Sequence, residues 1–315
     1  MIPKIVFLDT NTLGNDVVDQ LEEFKKLGDV TFYDSTSPEE ILTRVKDVSV
    51  IVTNKVVITK EIMLKCKHLQ LVAITATGTN NVDLLAAKAL NINVKNAVNY
   101  SSESVAQQTF AMLLSLVNGI YSYDQRVKSG QYSEESSFTW IGNSFSEIAG
   151  KRFGIIGLGN IGTRVAEIAT AFGAEVVYYS TSGIARNERY KLVDKKELFS
   201  TSDIISIHSP LNVKTADFVG ENEFNLMRKS SILINTGRGG IVNEPALANA
   251  LNKGEIKGAA IDVFAIEPTP LDNPLLKINS PEKLLLSPHV AWASKEARKK
   301  LLEITYANIK EMKLN

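Results

Sequence analysis

Phe153-Gly154-Ile155-Ile156-Gly157-Leu158-Gly159-Asn160-Ile161-Gly162 reads as a buried strand, a glycine turn and the opening of a helix that the pattern carries over 163–172. Gly157, Gly159 and Gly162 have the G-x-G-x-x-G spacing of a dinucleotide-binding turn. In such a turn the first glycine permits the sharp bend and the second lets backbone approach a pyrophosphate. The third lets helix pack closely on strand, and the free N–H groups of the helix start face the phosphates. Plain βα turns also carry glycines by chance. Here the strand before, the helix after and a second apolar strand at 175–179 supply the βαβ context that the chemistry needs.

Outward from this turn the same rhythm continues. Strand candidates at 153–156, 175–179, 204–207, 231–235, 258–261 and 284–286 give the count of a full dinucleotide-binding sheet. Upstream, apolar runs at 5–8, 30–33, 48–53, 69–74 and 92–94 alternate with helical patterns at 15–27, 38–45, 60–66 and 83–90. That alternation predicts a second parallel sheet covered on both faces, here without a glycine-rich phosphate turn. The fold expected is α/β with two doubly wound parallel sheets. Between the blocks, 101–121 reads as one long helix that connects them. Ser101, Ser102 and Glu103 supply its start, and Val105, Met112, Leu113, Leu116, Val117 and Ile120 its apolar stripe. Residues 129–150 read as a surface excursion. Residues 294–313 read as a charged amphipathic helix with Leu301, Leu302, Tyr306 and Ile309 on one face.

Composition narrows the partners. Hydrophobic residues make up 44% and charged residues 22%, the balance of an ordinary soluble globular protein. Lys plus Arg and Asp plus Glu are 35 each, with no basic stripe, which argues against nucleic acid. One or two local cations suffice for a small anion. The single Cys66 excludes an internal disulfide framework and a cysteine-rich metal site, so no metal is expected, and it fits a reducing cytoplasm. The N-terminal apolar run is too short for a signal peptide or a membrane span.

In parallel α/β sheets the loops at the carboxyl ends of the strands carry function. His208, Ser209 and Pro210 follow the strand at 204–207; Thr236, Gly237, Arg238, Gly239 and Gly240 follow 231–235. Asp262, then Glu267 and Pro268, follow 258–261, and Pro288 and His289 follow 284–286. A guanidinium between glycines can hold a carboxylate bidentately, or pair with a surface carboxylate of the protein. A glutamate bonded to one ring nitrogen of a histidine fixes its tautomer and makes a general acid near neutral pH. Each alone also reads as a solvated turn glutamate or a capping histidine. His208 has no carboxylate close in sequence and reads as a satisfied core or rim histidine; His68, beside Lys67, reads as exposed.

Five ordered motifs resemble the D-isomer-specific 2-hydroxyacid dehydrogenase family across nearly the whole chain. They are Gly157 to Gly162, His208-Ser209-Pro210-Leu211, Asn235-Thr236-Gly237-Arg238-Gly239, Asp262-Val263-Phe264 through Glu267-Pro268, and Ser287-Pro288-His289. The resemblance implies a Rossmann cofactor domain (101–287, with the connecting helix) inserted into a flavodoxin-like substrate domain (1–100 and 288–315). It implies that Arg238 holds the substrate carboxylate and keto oxygen, that His289 is the acid/base, and that Glu267 orients and charges it. Asp262 would meet the nicotinamide end. The backbone N–H groups of Thr77 and Gly78, in the turn Ala76-Thr77-Gly78-Thr79-Asn80-Asn81, would grip the carboxylate. Cofactor contacts would come from Gly157, Gly159, Asn160, Ile161, Gly162, Ser180, Ser209, Pro210, Thr215, Thr236, Gly237 and Asp262.

One position departs from the pattern. The strand ends Tyr178-Tyr179-Ser180-Thr181-Ser182, without the carboxylate that binds the adenosine ribose and repels a 2′-phosphate. Ser180, Thr181 or Arg186 are candidates for a phosphate, so NADP stands nearly level with NAD, which is favoured because no basic residue sits at the strand end. The turn at 76–81, with Ser102-Glu103-Ser104-Val105-Ala106-Gln107 and the run from Tyr178 to Gly183, is most similar to the glycerate dehydrogenase (hydroxypyruvate or glyoxylate reductase) branch. The expected partner is thus a small 2-keto or 2-hydroxy acid. Open alternatives are D-lactate or D-3-phosphoglycerate dehydrogenase, a formate-type dehydrogenase, and a corepressor-like protein that senses the dinucleotide. The resemblance also implies a homodimer, built partly on the long helix and the aromatic-rich segment from Tyr121 to Trp140.

Overall fold

A computed structural model describes residues 2–142, 144–186 and 189–312. The chain divides into two compact units, Met1–Ser101 with Trp292–Asn315, and Ser102–Ala291. The second boundary falls at 291/292 rather than at 287/288. Residues 290 and 291 stay with the second unit because their N–H groups are bound by the Asp262 carboxylate, each at 3.0 Å.

In the first unit, β1 (Lys4–Phe7), β2 (Asp29–Phe32), β3 (Val50–Thr53), β4 (Leu71–Ile74) and β5 (Asn93–Asn96) form a parallel sheet of order β2-β1-β3-β4-β5. This is the flavodoxin-like order. Ile5 and Phe7 pack with Val50 and Val52 beneath Leu301, Leu302 and Ile309 of the helix Lys295–Lys310. Val6 and Leu8 pack to the other side with Ile51, Met63 and Ala87, as the two-residue period of a strand requires. Both faces being covered, every residue of β3 and β4 is buried. The C-terminal helix begins after its Ser294 cap and ends at Lys310; Lys313, the expected end, lies outside the described residues. The helix expected at 15–27 is instead a helix Val18–Glu22 between short 3-10 turns, although Val17 and Phe24 still face the core.

In the second unit, β6 (Arg152–Ile156), β7 (Glu175–Tyr179), β8 (Lys191–Leu192), β9 (Ile204–Ile207), β10 (Ile232–Asn235), β11 (Gly258–Ile261) and β12 (Leu284–Leu286) lie parallel in the order β12-β11-β10-β9-β6-β7-β8. β8 is a seventh strand beyond the six expected; its two exposed residues carry no apolar run. Chain order reverses across β6, so β6 and β9 bracket the switch point where ligands bind in such sheets. The helix starting at the glycine turn spans Asn160–Ala171, three residues longer at its start than the apolar pattern marks.

The long helix expected at 101–121 is two, Ser102–Asn118 and Ile120–Lys128. Gly119 between them takes φ +61°, a left-handed conformation that side chains disfavour and that ends a helix. Ala106, Phe110 and Leu113 of the first helix pack over Phe153, Ile155 and Ile234. Ile120, past the break, is 55% exposed rather than part of the stripe.

Candidate active site

The rim of the second sheet holds three ionisable groups in a defined arrangement. Asn235, the last residue of β10, donates from Nδ2 to the Arg238 carbonyl (2.9 Å) and accepts at Oδ1 from Gly237 N (3.1 Å), which fixes the loop carrying Arg238. A Cβ on Gly239 would lie 1.7 Å from the Phe264 carbonyl oxygen. The glycine therefore serves an approach of protein to protein: it lets the arginine loop lie against the loop leading to Glu267. The guanidinium donates to the Gly237 carbonyl (2.8 Å), and among the described residues no carboxylate pairs with it. A pairing of Arg238 with a surface carboxylate is thus not what the structure shows.

Glu267 accepts the Phe264 N–H at Oε1 (3.0 Å) and faces His289 Nδ1 with Oε2 (2.7 Å). An ionised carboxylate only accepts, so Nδ1 carries hydrogen and Nε2 is the nitrogen left to exchange a proton. His289 has φ +53°, and its N–H donates to the Asp262 carbonyl at 2.7 Å. The Asp262 carboxylate accepts from Ser287 Oγ (2.5 Å), Val290 N and Ala291 N. Burial raises its pKa above the usual carboxylate range, against the lowering effect of these bonds. Asp262 is 0% exposed, and three of the roughly four acceptor positions of its carboxylate serve the histidine loop, an anchoring role beside the nicotinamide contact that the resemblance implies.

At the switch point, Gly157 has φ +93° and donates to the Tyr179 carbonyl (3.0 Å); a Cβ there would lie 2.9 Å from Ser209 Cα. A Cβ on Gly162 would meet Gly157 O at 2.2 Å. These two glycines are demanded by the protein's own packing. Gly159 is not: a Cβ there would meet nothing within 4 Å. Gly159 also offers no side-chain cap to the helix Asn160–Ala171, so among the described residues the helix starts without an N-cap side chain. Ser209, against Gly157, is 3% exposed, and its hydroxyl is buried with no partner among the described residues. An uncapped helix start, a bare second glycine and an orphaned hydroxyl fit the diphosphate and hydroxyls of a dinucleotide.

Comparison with known proteins agrees with this geometry. Residues 110–291 match the model of the D-isomer-specific 2-hydroxyacid dehydrogenase NAD-binding domain. A glycerate dehydrogenase of Methylorubrum extorquens is 36% identical over 310 residues, covering 98% of this chain and 96% of its own. A hydroxypyruvate reductase of Blautia hydrogenotrophica is 34% identical over 313 residues with the same coverage. The structure of an acyclic imino acid reductase in complex with NADPH and D-Arg superposes with a TM-score of 0.85 at 32% identity, covering 98% of this chain and 96% of its own. The chain belongs to the D-isomer-specific 2-hydroxyacid dehydrogenase family. It is an oxidoreductase that works with a nicotinamide dinucleotide on a small 2-keto or 2-hydroxy acid.

Within this dehydrogenase several residues that the resemblance places at the cofactor also hold their own loops. Thr215, 1% exposed, donates to the Pro210 carbonyl (2.7 Å) and accepts from Asn212 N (2.8 Å), while Pro210 itself is exposed. Thr236 shares a hydrogen bond with Thr109 across 2.9 Å, tying the helix Ser102–Asn118 to the sheet. Ser180 donates to the Ile184 carbonyl (2.7 Å) and lies 3.3 Å from Ser182 Oγ, so its hydroxyl is engaged within its own turn. Thr181 and the exposed Arg186 remain as groups that can face a phosphate.

His208 Nε2 lies 2.8 Å from Ser206 Oγ, and burial pushes the imidazole down to about 3, so it stays neutral and is no acid catalyst. Sequence reasoning gave no role to Asn235 or Ser287, which hold the arginine and histidine loops. Their positions at strand ends, beside named site residues, were the available signal. Among the described residues no three His, Cys, Asp or Glu gather as a metal site, and no helix is long and apolar enough to cross a membrane.

In the first unit the turn at 75–81 follows β4. The carbonyls of Thr75, Ala76 and Thr77 accept from Asn54 Nδ2 (2.7 Å), Ala97 N (3.1 Å) and Asn96 Nδ2 (2.6 Å). The N–H groups of Thr77 and Gly78 donate to no protein atom among the described residues. A turn whose acceptors are tied and whose donors are open presents positive potential to an anion.

Proposed function

We propose that the protein reduces hydroxypyruvate or glyoxylate to the D-2-hydroxy acid. The observation that carries this is the Glu267–His289 pair at 2.7 Å on the same rim as an arginine that no carboxylate among the described residues pairs with. In this reading the Arg238 guanidinium holds the substrate carboxylate and its keto oxygen, and the open amides of Thr77 and Gly78 grip the carboxylate as well. The dinucleotide, when bound, supplies a hydride to C2. His289 gives its Nε2 proton to the carbonyl oxygen, and Glu267 stabilises the imidazolium before the transfer and orients the ring throughout. In the oxidative direction the neutral ring takes the proton back. Gly157, Gly159, Asn160, Ile161, Gly162, Ser209, Pro210 and Gly237 hold the dinucleotide, Asp262 stands at its nicotinamide end, and Ser180, Thr215 and Thr236 support the loops as well as contacting it.

A complete acid/base set distinguishes this reading from a corepressor-like sensor, which needs none, and from a formate-type enzyme, whose product takes no proton. The relatives named hydroxypyruvate reductase and glycerate dehydrogenase support hydroxypyruvate, and a glyoxylate reductase of Aeropyrum pernix, 34% identical over 301 residues, supports glyoxylate. NAD and NADP are both proposed cofactors. The absence of an acidic residue after Tyr179 and the exposed Arg186 remove the barrier to NADP, while no basic residue at the strand end itself favours NAD. A panel of hydroxypyruvate, glyoxylate, pyruvate and a bulky 2-keto acid, each with NADH and NADPH, tests both points. The expected result is the highest kcat/KM with hydroxypyruvate or glyoxylate and measurable turnover with either cofactor. Preference for the bulky acid would overturn the substrate reading.

The same proposal includes a homodimer and a cytoplasmic site of action, the latter resting on the lone, buried Cys66. Ile120, Tyr121, Val127, Phe138, Ile141 and Phe145 all lie exposed within one stretch of chain, apolar side chains that a second copy would cover. Arg126 stacks on Trp140 at 3.9 Å, which stiffens part of that stretch. Sedimentation at micromolar concentration should give a dimer, and Phe138→Asp should shift it toward monomer. A wild-type monomer would sink this part.

A further inference from the structure

Four donors converge on the carboxylate of Asp9, a buried residue just past β1. Asn54 N lies 2.9 Å from Oδ1; Lys55 N, Val56 N and Thr53 Oγ1 lie 2.6, 3.2 and 3.2 Å from Oδ2. Asp9 thereby dictates the course of the chain as it leaves β3, and with it the direction of the Asn54 side chain. Asn54, 5% exposed, donates from Nδ2 to the Thr75 carbonyl, and Thr75 N donates to the Thr53 carbonyl at 2.9 Å. Asn81 at the far end of the turn donates to the Val56 carbonyl at 3.1 Å. One carboxylate thus sits behind both ends of the turn that carries the open Thr77 and Gly78 amides.

We infer that Asp9 is a positioning residue for the substrate carboxylate, acting through Asn54 on the turn at 75–81. This rests on the reading that the Thr77 and Gly78 amides grip that carboxylate. Asp9 touches no substrate. It holds the Thr53–Val56 backbone in one conformation, Asn54 then anchors the Thr75 carbonyl, and the amides beyond it keep their aim. A carboxylate grip holds ground state and transition state alike, so loosening it raises KM and leaves kcat nearly unchanged.

The test uses glyoxylate kinetics together with binding of oxalate, an unreactive carboxylate mimic, to the full chain loaded with the reduced dinucleotide that supports turnover. Gly78→Pro, which deletes one open amide, tests the grip; Asn54→Ala and Asp9→Asn test the relay. Gly78→Pro is expected to weaken oxalate binding roughly tenfold or more, as loss of a hydrogen bond to a charged group does. Asn54→Ala and Asp9→Asn are expected to raise the glyoxylate KM and the oxalate Kd about tenfold, with kcat and dinucleotide Kd nearly unchanged. Where Asp9→Asn does not fold, Asn54→Ala decides, because it leaves the amides around Asp9 in place. Unchanged oxalate binding in Gly78→Pro overturns the grip and the relay with it. A weakened Gly78→Pro beside an Asn54→Ala of wild-type KM overturns the relay alone. A joint loss of kcat and dinucleotide affinity in Asn54→Ala also overturns it, since that marks general unfolding.

Discussion

His289→Ala is expected to lower kcat with glyoxylate by about 10²–10⁴-fold, the usual worth of a positioned general acid, while dinucleotide binding is retained. The geometry separates the two readouts. The ring is held by Glu267 at 2.7 Å, whereas the glycine turn at the switch point owes nothing to that pair. The main chain of residue 289 has φ +53° and donates to Asp262, so asparagine, which tolerates that region, is the better control for the backbone. His289→Asn should therefore match His289→Ala in rate and exceed it in thermal stability. Stopped-flow turnover with fluorescence titration of the reduced dinucleotide checks both. A variant that kept most of its rate would assign the proton to another group. His208 is a poor candidate for that part, since burial holds it near 3 and its Nε2 is engaged by Ser206.

Arg238→Ala is expected to lower kcat/KM by roughly 30- to 5000-fold, the range for removing one partner of a bonded charge pair at about 2–5 kcal/mol. Arg238→Lys should recover only part of this, because an ammonium offers a point charge where a guanidinium offers two parallel donors. Because no carboxylate of the protein pairs with Arg238 among the described residues, neither variant should lower the melting temperature appreciably. Steady-state kinetics beside a thermal melt gives the comparison. Wild-type kcat/KM in the lysine variant would show that bidentate contact is not used, and a large drop in melting temperature would point to a structural arginine.

Much of this was legible before any coordinates. Glycine spacing, the strand before it and the βα rhythm dictate two parallel sheets, because strand and helix periods are written in apolar positions along the chain. Arg238, Glu267 and His289 stand out as ionisable residues directly after apolar strands, where loops at a sheet's carboxyl edge converge. What the sequence could not carry is the distant partners that hold the loops behind these groups. The tie of Asp262 to Ser287, Val290 and Ala291 spans at least 25 positions, and that of Asp9 to Asn54 spans 45. Neither leaves a local period.

Two local readings failed for related reasons. The helix past Asn118 ends because Gly119 adopts a left-handed conformation, although the apolar spacing continues through Ile120. The strand at Lys191–Leu192 exists because β7 offers it an edge, although its own residues announce nothing.

By itself the sequence determined the fold class, the dinucleotide turn and the chemical types of the acid, the carboxylate and the guanidinium, since these follow from residue identity and local spacing. Only the tertiary structure decided which of them work together. It set Glu267 2.7 Å from His289 as the resemblance implies, left Arg238 without a protein carboxylate among the described residues, and gave Asp262 a hold on the histidine loop. It also showed that Gly239 and Gly162 exist for contacts within the protein while Gly159 does not. Such outcomes depend on hydrogen-bond partners and close approaches between distant segments, and those are fixed only when the strands are laid side by side.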